Sequence, residues 1–168
     1  MKILALFFAA VMTGLAQTQA PVQPYVPKPP TQPLPFSHKL HISQGLECSS
    51  CHEMPEPGKD AGMPPTATCM ACHSDNPKEL ASIKLLAEYD KKAEPIPWKP
   101  QYHIEGYVYF EHKNHVTTAK LTCDACHGAV QDMDVTLKVK DVSMTTCLEC
   151  HKEKNAPQNC GTTCHEPV

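Results

Sequence analysis

The chain has 168 residues and a formal charge of −3, with 15 basic residues, every one a lysine, against 18 acidic ones. A chain of this length makes one domain or two small ones, and without arginine or a basic cluster nucleic-acid binding is excluded as a reading. Past Ala16 the only phenylalanines are Phe36 and Phe110 and the only tryptophan is Trp98, too little to build a side-chain core for roughly 150 residues that must remove well over half of their surface from water.

In chain order, Met1 to Ala16 reads as a secretory leader: Lys2, the apolar run Ile3 to Leu15, then small residues. The run is shorter than the roughly 20 residues a membrane-spanning helix needs. Gly14-Leu15-Ala16 is an acceptable cleavage site, whereas cleavage after Ala20 would leave Pro21 first. The expected location is therefore periplasmic or extracellular, with an uncleaved anchor as the alternative. Residues 21–35 carry seven prolines, which favour extended polyproline II. They form either a spacer arm or a strap wrapped over the domain.

Residues 36–75 form a first module, residues 76–105 a linker helix and proline-rich connection, and residues 106–168 a second module. The linker pattern predicts a helix from an Asn76 N-cap, through Pro77 and Glu79, to about Lys92. Leu80, Ile83 and Ala87 are its expected apolar stripe, and Pro95, Pro97 and Pro100 end it. Around the linker the sequence repeats. Phe36-Ser-His38-Lys-Leu-His41 matches Phe110-Glu-His112-Lys-Asn-His115; Cys48-x-x-Cys51-His52 matches Cys123-x-x-Cys126-His127; Cys69-x-x-Cys72-His73 matches Cys147-x-x-Cys150-His151. The second copy adds Cys160-x-x-x-Cys164-His165.

These five motifs consume all 10 cysteines. Cys-x-x-Cys-His is the attachment signal for covalent haem c: the two thiols add to the haem vinyl groups and the adjacent imidazole reaches the iron. Disulfides, plausible in an exported chain, do not explain a histidine after every second cysteine. Structural zinc takes paired knuckles, and five units pair poorly. The expectation is five covalently bound haem c groups with His52, His73, His127, His151 and His165 as proximal ligands. Five large apolar macrocycles also supply the buried surface that the side chains lack.

Of the 10 histidines, those five leave His38, His41, His112, His115 and His103, enough for a second imidazole on every iron. Histidines three apart on a helical turn leave the same face one turn apart, so each H-x-x-H serves two adjacent irons. His103 stands outside the repeat and is recommended by the count alone. Met54, Met63, Met133 and Met144 are the possible substitutes, and a Met/His iron has a raised potential. Two axial imidazoles leave no open position for a substrate.

The F-x-H-x-x-H and C-x-x-C-H pattern of residues 34–165 resembles the multihaem class III cytochromes c. The stretch from Pro95 to His151 is similar to the pentahaem cytochrome subunit of alternative complex III, through Pro97-Trp98, Tyr107-Val-Tyr-Phe110, the second H-x-x-H, Cys123 to Gly128, Met133, and Met144 to His151. The resemblance implies that His38 shares an iron with His52, His112 with His127, His41 with His73 and His115 with His151, which leaves His103 for His165. It implies a mostly irregular fold with short α-helices, built as two duplicated dihaem modules plus a fifth, C-terminal haem.

The function expected is electron transfer along a chain of bis-His haems, without catalysis, between exported redox proteins or a membrane quinone-oxidising complex. Two rivals stand beside it. One is a multihaem reductase with one open iron, that of His165. The other is a subunit that self-assembles into a haem filament or sits in a respiratory complex.

Overall fold

The computed structural model describes residues 28–75 and 79–165. The leader, residues 21–27 of the proline-rich arm, and the expected helix start at Asn76 and Pro77 lie outside the described residues. Five short α-helices, α1 (His38–Ile42), α2 (Thr66–His73), α3 (Ala81–Lys91), α4 (Asp124–His127) and α5 (Met144–Glu153), are joined by long irregular segments and single 3₁₀ or π turns. No strand forms among the described residues; one isolated antiparallel bridge joins Val108 to His165. None of these helices is long and apolar enough to cross a membrane.

Local chemistry sets the helix ends. Ser37 caps α1 by accepting from the Leu40 amide at 3.0 Å, and Ser143 caps α5 by accepting from Thr146. Helices α3 and α5 both close with a residue in left-handed conformation, Ala93 (φ 54°) and Asn155 (φ 52°). The following amides reach back, Glu94 to the Tyr89 carbonyl and Ala156 to that of His151, the hydrogen-bond pattern of a Schellman ending. Helix α3 is thus stopped by its own backbone at Ala93, ahead of Pro95.

The start of α3 corrects the sequence pattern. It begins at Ala81 with Leu80 extended as its cap, so Glu79 lies before the helix, where its carboxylate accepts from Lys84 Nζ at 2.8 Å. The stripe shifts as well: Leu86 is buried, Ile83 and Tyr89 pack with it, and Leu80 is exposed. Packing at Ile83, Leu86 and Tyr89 outweighs the local Asn-x-x-Glu pattern, as tertiary contact commonly does for short helices.

The buried apolar set is small, as the composition implies. Leu34, Leu86 and Ile96 are its members among the described residues, with Cys69, Met70, Ile83, Tyr89 and Trp98 packed around them. Residues 28–35 belong to it. Leu34 enters the cluster, and Gln32 both donates to the Lys99 carbonyl (2.8 Å) and accepts from its amide (2.9 Å). This part of the arm is a strap over the domain. The Thr66 hydroxyl, bonded to Asp90 at 2.8 Å, ties α2 to α3.

Candidate cofactor-binding sites

Helix α1 and the π-helical turn Lys113–Thr118 with its N-cap His112 each present two imidazoles one turn apart. Every one of the four faces a histidine that follows a cysteine pair. His38 stands with its ring centroid 6.3 Å from that of His52, His41 6.1 Å from His73, His112 6.4 Å from His127, and His115 6.0 Å from His151. The rings are too far apart to touch. With metal–nitrogen bonds of about 2 Å on either side, two imidazoles across one metal ion have centroids roughly this far apart. The His38–His52 and His112–His127 pairs are almost parallel, at 16° and 5°, whereas the other two are turned by 63° and 48°.

Hydrogen bonds fix which nitrogen is available. The Nδ1 atoms of His41, His52, His112, His115 and His151 lie 2.6–2.9 Å from the carbonyls of Ser37, Gly62, Lys59, Glu111 and Pro157. A carbonyl only accepts, so Nδ1 carries the proton and Nε2 keeps its lone pair for a metal. Such outer contacts orient ligand imidazoles and raise their basicity. Burial holds His38 and His127 below the usual histidine range, reinforced for His127 by the neighbouring His112 and His52. The shift is towards the uncharged ring, the form that ligates a metal.

Three aromatic residues support these rings, which the sequence marks only by position. Phe36 stacks on His41 at 4.3 Å and meets His38 edge-on at 4.9 Å. Phe110 does the same to His115 (4.7 Å) and His112 (4.9 Å). Tyr102 meets His127 edge-on at 4.7 Å. One phenylalanine two residues ahead of each H-x-x-H thus sets the orientation of both its rings.

The modules hold each other's histidines. The α1 turn of the first module docks on residues 133–136 of the second: Lys39 amide to Met133 carbonyl at 3.1 Å, Thr136 hydroxyl with His38 Nδ1 at 2.9 Å, Ser37 hydroxyl to Asp134 at 2.8 Å. The matching turn of the second module docks on residues 56–59 of the first. There the Lys113 amide donates to the Gly58 carbonyl at 3.0 Å, His112 Nδ1 donates to Lys59, and Lys113 Nζ meets Glu56 at 2.6 Å. Gly58 has φ 87°, and a Cβ there would strike Lys113. The contact is reciprocal: in each half the lysine after the first histidine donates its amide to a carbonyl of the other module, and the first histidine is held at Nδ1. Gly128, directly after His127, has φ 72°, and a Cβ on it would strike Val139.

All ten cysteines are free thiols, exposed or half-buried. Burial pushes those of Cys69, Cys123, Cys126 and Cys147 up, helped by neighbouring thiols: Cys51 beside Cys69, Cys48 beside Cys123, Cys150 beside Cys126, and Cys126 and Cys164 beside Cys147. At each of four sites the chain offers two thiols and two facing imidazoles, one of them adjacent to a thiol, which is the donor set of a six-coordinate haem c. The residues fit the group.

The fifth motif lies in the π turn Cys160–Cys164, capped by Asn159. It is fastened by the Tyr109 amide, which donates to the Cys164 carbonyl at 2.6 Å, and by the Val108–His165 bridge. Tyr107 meets the His165 ring edge-on at 6.3 Å. His103 is directed elsewhere: its Nε2 lies 3.7 Å from Glu105 and its side chain is 73% exposed. Of the four methionines considered as ligands, Met54, Met63 and Met144 are exposed, and Met133 accepts the Lys39 amide through its carbonyl.

Residues 34–93 match the family described as cytochrome c7 and related cytochrome c. Over 148 residues the chain is 31% identical to the multihaem cytochrome c subunit of menaquinone reductase from Nitratidesulfovibrio vulgaris (strain Hildenborough), an alignment covering 74% of this chain and 69% of that protein.

Proposed function

The chain belongs to the multihaem c-type cytochromes, proteins of electron transport that carry covalent haem c, and from that premise we propose that it is a pentahaem electron carrier. It works outside the cytoplasm as a redox partner or subunit of a membrane complex that exchanges electrons with a quinone. When bound, each haem supplies a one-electron Fe(III)/Fe(II) couple. Cys48 and Cys51, Cys69 and Cys72, Cys123 and Cys126, Cys147 and Cys150, and Cys160 and Cys164 tether the five groups. His52, His73, His127, His151 and His165 are the proximal ligands, with His38, His41, His112 and His115 facing the first four.

The observation that carries the reading is the set of four imidazole pairs at 6.0–6.4 Å. The residues' task is to hold these irons closed on both sides while changing shape little between oxidation states. Rings fixed at Nδ1 by backbone carbonyls and propped by Phe36 and Phe110 do this. Haem propionates add negative charge to the formal −3, so a basic patch on the partner steers the encounter, with strong salt dependence. The quinone link rests on the relative named menaquinone reductase subunit.

The intact mass of the exported protein tests the reading: the chain less its leader plus five haems is expected. Two or fewer haems with oxidised cysteines would refute it. A second reading is favoured by Tyr107, rather than His103, facing His165: the fifth iron would be open to small molecules, and the other sites would serve it. A carbon monoxide difference spectrum of the reduced protein decides. About one equivalent bound supports the reactive iron; none supports the closed carrier with His103 as fifth distal ligand.

A further inference from the structure

The order of the five motifs in space can be read from contacts made by the chain itself. The reciprocal docking places the His38/His52 site and the His112/His127 site at the contact between modules. His38 is held by Thr136 across 98 residues of sequence, and His112 by Lys59 across 53. In each module the second histidine of the turn faces the other way along the molecule, towards His73 in one and His151 in the other. The outer motifs are separately anchored. Helix α2 packs on α3 and the small apolar cluster, into which Cys69 and Met70 reach. Within the second module, the π turn at Cys160 is fastened to residues 108–109.

We infer that the motifs run through the molecule in the order Cys69–His73, Cys48–His52, Cys123–His127, Cys147–His151, Cys160–His165. The first two are exchanged relative to the sequence, so α2 and the C-terminal turn are the two ends of the row. Neighbouring thiols agree at every junction: Cys51 with Cys69, Cys48 with Cys123, Cys126 with Cys150, Cys147 with Cys164. The inference deepens the five-haem reading above and rests on it. It makes the Cys48 site an interior link with a neighbour on each side, and the Cys69 site a terminus of the row.

The test uses the full haem-loaded protein. His38→Met and His41→Met each raise the potential of one site, and a change of charge at one iron shifts the midpoints of its spatial neighbours. Site-resolved redox titration by nuclear magnetic resonance should show His38→Met shifting two other sites, those of His73 and His127. His41→Met should shift the His52 site alone. Equal shifts at the His52 and His127 sites in His41→Met, or an unmoved His127 site in His38→Met, would overturn the order. If neither variant loads, iron anomalous scattering from crystals of the unaltered protein gives the positions directly. The iron bound by His52 is expected second in the row, and finding it at an end would overturn the order. A mass showing two or fewer haems would strike the functional reading instead, and the order of the loaded motifs would still be measured.

Discussion

The two modules use the same parts to orient their histidines and different means to stay folded. The first is backed by α3 and by Leu34, Leu86 and Ile96, with Trp98 6.3 Å from Phe36. The second has no buried apolar side chain among the described residues. Its outer side is the C-terminal motif held by backbone bonds to Tyr109. A second difference is finer. His112 is fixed by a backbone carbonyl, which no substitution removes, while His38 depends on the Thr136 hydroxyl. Duplication therefore preserved the ligand geometry and left each copy to find its own support.

The largest expected effect breaks the first module's support. Leu86→Ala removes the most buried member of a three-residue core, at about 2–3 kcal/mol, the low end for such truncations because a small cluster collapses readily. The loss should be local: a loosened His73 site in magnetic resonance spectra, with the His127 and His151 sites unmoved. A uniform change across both modules would mean that the core supports them jointly.

Next come the glycines. Gly128→Ala and Gly58→Ala place a side chain where φ is positive, at about 1–2 kcal/mol, and each adds a collision with Val139 or Lys113. Gly128→Ala disturbs the second module alone. Gly58→Ala separates the two modules and should move the His112 and His38 sites together. Circular dichroism melts with site-resolved spectra distinguish the two.

How much of this was legible in the sequence depends on distance along the chain. The attachment motifs and H-x-x-H pairs show because covalent chemistry and a helical turn impose spacings of three or four residues. The facing of His38 with His52 and its three counterparts came from the resemblance, and the structure places those rings together. The reciprocal docking was not legible. It joins segments 53 and 98 residues apart, in part through the backbone carbonyls of Lys59, Gly58 and Met133, which leave no side-chain pattern. A faint sign existed in the turn-forming residues Pro57-Gly58 and Asp132-Met133-Asp134 at matching positions after the first motif of each copy. The start of α3 departs from the sequence pattern because capping residues describe an isolated helix, whereas this one is held by the packing of Ile83, Leu86 and Tyr89. Tyr107 was noted only as part of the resemblance, and nothing in its spacing assigns it to His165.

Thr136→Val sharpens the finer difference. Losing one hydroxyl contact costs about 1 kcal/mol and should shift the potential of the His38/His52 site alone, with Thr136→Ser restoring it. Movement of the His112 site by the same amount would show that the two halves of the contact act as one. The smallest effect belongs to Glu56→Gln. The Lys113–Glu56 pair is short but well exposed, at 43% and 77%, and exposed pairs contribute about 0–1 kcal/mol. A thermal midpoint unchanged within roughly 2 °C is expected; a larger fall would mean that this ion pair, rather than the backbone bonds beside it, holds the modules together.

The reciprocal docking has a consequence for how such a molecule is assembled. Two equivalent turns that each sit on the other's loop form the contact of an isologous dimer, in which the same patch serves both partners. Here both partners lie on one chain, and the linker through residues 76–105 replaces a second subunit. Pairing that would otherwise follow protein concentration is then set by the tether, which raises the effective concentration of one module around the other to about millimolar or above for a short connection. Cutting the chain within residues 92–105 should therefore leave two fragments whose association, and with it the alignment of His38 and His112, follows dilution.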